Sequence, residues 1–201
     1  MFCHEGPWHE LDRIWTIRTD GTGLTRQHTR QIDMEIAGHE FFSADGRTIW
    51  YDLQTPKSEV FWLAGVDLAT NHRTRYAVAR AHWSVHFNVS PDGKLFAGDG
   101  GGPHSVAAPG NGQWIYLFTP GPIGLTATPL VDLSAHDYGL EPNVSFTLDG
   151  RWAREPALPG LCPQPGGPVR LRPASPRIAS PVVPGRPNRS GSDFAVSQAV
   201  Q

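Results

Sequence analysis

Several things are scarce in this chain, and each absence removes a class of protein. Only two cysteines occur, Cys3 and Cys162, in regions of very different character. That excludes a disulfide scaffold and points to a reducing, cytoplasmic setting. Long apolar runs are missing too. Segments such as Thr48–Asp52 and Trp114–Phe118 have strand length, far below the roughly 20 residues of a membrane helix, so no membrane partner is expected. The net charge of −2 leaves no basic excess, which argues against nucleic acid or an acidic lipid surface as the main partner. No Gly-x-Ser-x-Gly elbow, Walker loop, HExxH or paired CxxC is found. Residues Met1–Trp8 carry neither a basic leader nor an apolar stretch of secretory length. So abrupt a start is the pattern expected where residue 1 lies inside a longer reading frame.

Acids become rare towards the far end. Beyond Arg151 only Glu155 and Asp193 remain, while ten of the nineteen prolines fall in Pro156–Pro187 among Arg, Gly and Ser. Proline lacks a donor and fixes φ, so such a segment does not sustain a sheet. Residues 153–201 therefore read as a disordered or out-of-frame tail, and residues 1–152 as the folded part.

What the folded part has in abundance is one recurring unit. FFSADGRTIWYDL at Phe41–Leu53, FNVSPDGKLFAGD at Phe87–Asp99 and VSFTLDGRW at Val144–Trp152 each run from an apolar entry through Ser or Thr to Asp-Gly, a basic residue and an apolar exit. Asp-Gly between apolar runs signals a hairpin, because Gly takes up positive φ without strain. A return about every 45–60 residues lies in the range of propeller blades and solenoids. Arg13–Arg18, Val60–Val66, Trp83–Val89 and Leu117–Phe118 add β-branched and aromatic strand patterns, and no helix-period segment exceeds two turns. Seven tryptophans suit sheets packed face to face on large aromatic side chains. The fold class is all-β: a partial β-propeller of roughly three blades.

Chemistry concentrates on histidine. Nine histidines occur, several in polar-aromatic clusters: His4–His9, Gly38–Phe41, His82–Asn88 and His136–Asn143. His39 and His86 each precede their Asp-Gly turn by six residues, and Asn143 precedes Asp149 by the same six. In a propeller the innermost strands converge on a central channel, so residues of one register come together from different blades. The glycine run Gly98–Gly102 is followed by Pro103 and no helix pattern, so it reads as a strand-end bulge rather than a phosphate loop.

FCHEGPW and DRIW within Phe2–Trp15, GHEFF at Gly38–Phe42, WSVHFNVSPDG with AGDGG at Trp83–Gly101, and SFTLDG at Ser145–Gly150 together resemble the oligogalacturonate lyases. These are seven-bladed β-propeller enzymes of pectin breakdown. The resemblance spans about residues 2–152 and corresponds to the C-terminal part of that propeller, which leaves the first blades and closing strands without a counterpart. On that reading the 201-residue chain alone is expected to be inactive. The family removes the C5 proton of a galacturonate and expels the C4 oxygen. Its resemblance implies His39 as the base, Arg13 as its assisting arginine and His86 as a ligand of a manganese-type divalent ion, Mn2+. The family's Gln-x-x-His-x-His ligand segment aligns with Tyr138, Glu141 and Asn143, so Glu141 and Asn143 replace the two histidine ligands. Oxygen donors still suit a hard ion. The implied substrate is a small oligogalacturonide, and the sequence leaves the oligomeric state open. A reading from another class is a non-catalytic, TolB-like binding propeller, which shares the Asp-Gly repeat but has no reason to hold His39, His86 and Asn143 at one register beside an arginine.

Overall fold

A computed structural model describes residues 1–102, 113–137, 141–154 and 169–170. These form four antiparallel sheets in chain order. The first contains β1 (Phe2–Cys3), β2 (Ile14–Thr16) and β3 (Thr25–Arg26). The second is a complete four-stranded meander: β4 (Ile36–Phe42), β5 (Thr48–Gln54), β6 (Phe61–Asp67) and β7 (Arg73–Val78). The third is another: β8 (Phe87–Val89), β9 (Phe96–Gly98), β10 (Trp114–Gly121) and β11 (Gly124–Asp132). The fourth holds β12 (Ser145–Phe146), β13 (Trp152–Arg154) and β14 (Val169–Arg170). Among the described residues the only helical element is one 3-10 turn, Arg80–His82. The expected three blades are thus two complete four-stranded blades flanked by two three-stranded sheets.

The three Asp-Gly turns are built alike, atom for atom. Ser43, Ser90 and Thr147 each donate a hydroxyl hydrogen to the aspartate two residues on, at 2.6, 2.7 and 2.5 Å. The same carboxylate oxygen accepts the backbone N–H of Arg47, Lys94 or Arg151. The glycines follow at φ values of 70, 72 and 67°, where a side chain is disfavoured. These bonds hold the carboxyls of Asp45, Asp92 and Asp149 below the usual carboxylate range, the hydroxyl being the largest cause in each.

Strand alternation explains why the sheets stack. On β5, Ile49, Tyr51 and Leu53 enter one core with Ile14, Ala37, Ala64 and Val66, on the side of the first sheet. Trp50, of opposite parity, packs with Phe61, Leu63, Trp83, Phe87, Phe96, Tyr116 and Phe118 between the two complete blades. A third core, Ala97, Ile115, Leu133, Val144 and Ala153, joins the third and fourth sheets. The interior strands of the two complete blades are therefore buried on both faces, which is why their sequences carry apolar residues at both parities. Trp50 lies opposite Gly65, and a Cβ there would come within 2.6 Å of the indole, so the large ring requires the missing side chain.

Two readings need correction, and one strand, β11, is not among those expected. The strand expected over Trp83–Val89 is confined to Phe87–Val89, because the backbone of Val85 and His86 bonds instead to Gly100 and the Asp99 side chain. β11 escapes the pattern because Pro129 interrupts it. It is the outer strand of its blade, with a register shift opposite Ile115/Tyr116, and such edges accept proline. The segment beyond Arg151 is expected to add no strand, yet Val169–Arg170 pairs with Trp152 and Ala153. The rest of the 153–201 tail, apart from Ala153 and Arg154, lies outside the described residues.

Phe96 is almost fully buried between the complete blades, 4.8 Å edge-on from Trp50. Phe96→Ala is expected to lower unfolding free energy by about 3–5 kcal/mol. Urea denaturation checks this, and a loss below about 1 kcal/mol would contradict a close-packed interface there.

Candidate active site

The inner ends of successive sheets bring the histidines together. His39 sits in β4 at a register shift: Gly38 pairs with Asp52 and Phe41 with Trp50, so two residues bulge opposite one. Its backbone takes φ 49°, a left-handed conformation uncommon outside glycine, and Asn143 at the equivalent position of the fourth sheet takes φ 47°. Strain of this kind persists where surrounding bonds over-determine it and clusters at functional sites. Here the bulge aims the imidazole back at the neighbouring strand. His39 Nδ1 lies 3.0 Å from Asp52 Oδ1, and Asp52 is wholly buried.

His86 repeats the arrangement one blade on. Its Nδ1 is 2.7 Å from Oδ2 of the equally buried Asp99, whose Oδ1 accepts the His86 backbone N–H at 2.9 Å. The backbone N–H of Asn143 donates to the same Oδ2 at 3.3 Å, so Asp99 ties the third blade to the fourth sheet. The two imidazole rings meet edge to face, 4.9 Å between centroids. His86 Nε2 is 3.6 Å from the Glu141 carboxylate, which is largely exposed. Arg13 reaches this group through Trp8: its guanidinium lies 4.0 Å over the indole, and the indole lies 5.0 Å from the His39 ring. Gly38 makes the approach possible, since a Cβ there would come within 2.5 Å of Trp8. The buried Arg13 also donates to Glu5 at 3.5 Å and to the Gly6 carbonyl at 3.3 Å.

All five residues singled out from sequence, His39, Arg13, His86, Glu141 and Asn143, thus fall in one neighbourhood; Tyr138 lies outside the described residues. Sequence reasoning missed Asp52, Asp99 and Trp8. A signal for the aspartates existed: each follows its turn aspartate by seven residues, Asp45 to Asp52 and Asp92 to Asp99, and so lies thirteen after its histidine.

Electrostatics separate the histidines. Burial, the largest influence on His39, pulls its pKa down. The Asp52 hydrogen bond and the charges of Asp52, Asp99 and Glu141 together outweigh it, so the net shift is upward. On the other face of β5, His28 is buried between Glu35 (2.7 Å) and Tyr51 (3.1 Å) beside a cavity of about 840 Å³. There burial wins over Glu35 and the His28 pKa falls. Burial foremost, then the Glu40 charge, pushes the Cys3 thiol up to about 11, which makes it a poor nucleophile near neutral pH.

As for a metal, the donors fit a manganese-type ion in kind. With Nδ1 committed to Asp99, His86 presents Nε2 towards a carboxylate oxygen. They do not fit in number: among the described residues no three His, Cys, Asp or Glu side chains gather into a ligand set.

Stacked antiparallel sheets with a polar cluster where their inner ends meet define a segment of β-propeller. Comparison with known proteins carries this further. No protein-family model matches the chain. It is 30% identical over 124 residues to the oligogalacturonide lyase of Pectobacterium atrosepticum, covering 58% of this chain and 31% of that protein. An oligogalacturonate lyase solved in complex with manganese matches at a TM-score of 0.60 and 24% identity, over 75% of this chain and 39% of the other. The oligogalacturonate lyase of Vibrio parahaemolyticus matches at 0.60 and 22%, over 75% and 40%. The chain thus spans about a third of the curated relative and two fifths of each solved structure. Over that span its resemblance to the oligogalacturonate lyases is shown, in sequence and in fold.

The opposite shifts of His39 and His28 predict opposite pH behaviour. His39, with its folded pKa raised, contributes stability that is fully present below about pH 6.5 and lost as pH rises through the folded value. His28, with its folded pKa lowered, contributes stability that is lost as pH falls from about 6.5 through its folded value. Histidine-resolved NMR titration is expected to find His39 above and His28 below that reference, and the reverse order would contradict the burial and pairing described.

Proposed function

We propose that this chain carries the catalytic face of an oligogalacturonate lyase, which cleaves small oligogalacturonides by β-elimination in cytoplasmic pectin catabolism. The observation that carries the reading is the meeting of His39 and His86 from adjacent blades, each imidazole bonded through Nδ1 to a buried aspartate. Elimination needs a base for the C5 proton and a cationic partner for the adjacent carboxylate, since a carbon acid α to a carboxylate is weak.

In this reading His39 Nε2 takes the C5 proton. Its raised pKa makes it a stronger base than free imidazole. Asp52 stabilises the imidazolium that results. Arg13 supplies fixed positive charge behind Trp8, and its distance from His39 is spanned by the indole that would form one wall of the substrate site. His86 and Glu141, with Asn143 beside them, are the residues that would hold a divalent ion such as Mn2+. Such an ion would supply positive charge for the substrate carboxylate. The donor count above leaves the rest of its ligand shell to water, substrate or residues outside those described.

His39→Ala is expected to lower formation of unsaturated uronate, read by its ultraviolet absorbance, by at least about 100-fold while manganese binding is retained. The substitution is read on the longer polypeptide that the reading implies, and this chain alone, expected to be inactive, is assayed beside it. Turnover unchanged by the substitution would overturn the assignment of the base. Binding of trigalacturonate without any unsaturated product from either polypeptide would favour the binding-propeller alternative.

A further inference from the structure

The Asp52 carboxylate does not act on His39 alone; it sits in the middle of a directed chain of hydrogen bonds that begins at a backbone amide. The backbone N–H of Ser58 donates to Gln54 Oε1 at 2.7 Å. That fixes which end of the Gln54 amide is oxygen, a question geometry alone would leave open. The other end, Nε2, therefore donates to Asp52 Oδ2, at 3.3 Å. Asp52 Oδ1 remains for His39 Nδ1 at 3.0 Å. Gln54 and Asp52 are both essentially without solvent exposure, so no water competes for these positions. A carboxylate accepts only, so the neutral His39 ring must carry its proton on Nδ1 and leave the Nε2 lone pair outward.

We infer that Gln54 and Asp52 are positioning residues that set the tautomer of His39, with the Ser58 amide as the fixed origin of the chain. The consequence for catalysis rests on the proposed role of His39 as base; the tautomer itself does not. The geometry makes a definite statement about Asp52→Asn. Gln54 Nε2 still donates to position 52, so the asparagine must keep its oxygen on that side. Its NH2 group then faces His39 Nδ1, which has to accept, and the ring proton moves to Nε2. The lone pair needed for proton abstraction is lost although no side chain has changed size. Moving the carboxylate one step back along the chain restores it. In the double variant D52N/Q54E, the carboxylate at position 54 accepts from both the Ser58 amide and the asparagine NH2. The asparagine oxygen then turns to His39.

The test is nitrogen-15 NMR of the histidine rings in protein without added metal, at about pH 9 where imidazole is neutral. The unaltered protein is expected to hold His39 with its proton on Nδ1, D52N to shift it predominantly to Nε2, and D52N/Q54E to return it to Nδ1. A proton on Nε2 in the unaltered protein overturns the inference without any variant, as does a D52N ring that keeps Nδ1–H. A double variant that fails to revert overturns the role of Gln54. Turnover measured in parallel is expected to fall in D52N and recover in part in D52N/Q54E. If the tautomers switch as stated while the longer polypeptide that the lyase reading implies shows no turnover, the positioning chain stands and the lyase reading fails.

Discussion

Everything at the candidate site depends on the burial of the two complete sheets on both faces. A single antiparallel sheet of this composition has apolar side chains of both parities, and only stacking against a sheet on either side removes them from water. Once the sheets stack, a residue at a given register of one sheet lies beside the same register of the next. His39 and His86 are far apart in sequence and 4.9 Å apart in space for that reason. The Asp-Gly turns hold the register: their hydroxyl–carboxylate–amide bonds recur at all three repeats with the same atoms. A one-residue slip would exchange the two faces of a strand and lose the site together with the core.

The polar residues at the inner ends are tolerated because they are paired in a graded way. Asp52 and Asp99 are fully buried, and each spends both oxygens on donors supplied by its neighbours. The histidines they hold are half-buried, and the groups beyond them, Glu141 and Asn143, are open to solvent. The result is a gradient from fixed acceptors inside to accessible nitrogen atoms outside. That arrangement lets a buried charge be satisfied while the imidazole edge remains available for a ligand.

How much of this was legible in the sequence follows from the same physics. The Asp-Gly repeat announced the sheets because turn chemistry is local, and it placed His39, His86 and Asn143 at one register without any knowledge of the fold. Asp52 and Asp99 were hidden because each closes an apolar run, where a lone acid reads as the end of a strand rather than as a buried partner. Trp8 was hidden because its role depends on the absence of a side chain at Gly38, thirty residues on. Strand β11 was hidden because Pro129 argues against a strand everywhere except at an outer edge. Misjudged positions were thus those whose conformation is set by a neighbour distant in sequence, as with the Val85 and His86 backbone drawn to Gly100 and Asp99.

The central claim is that repeat-equivalent histidines on adjacent blades, each held by a buried aspartate, form one reaction centre. A crystal structure with Mn2+ and a saturated trigalacturonate, on His39→Ala protein to block turnover, tests it most directly. The account predicts the ion's anomalous signal at His86 Nε2, next to a substrate carboxylate, with the C5 hydrogen of the same sugar directed at the space left by the His39 ring. Metal and sugar bound elsewhere on the molecule, with His86 Nε2 bare, would contradict it.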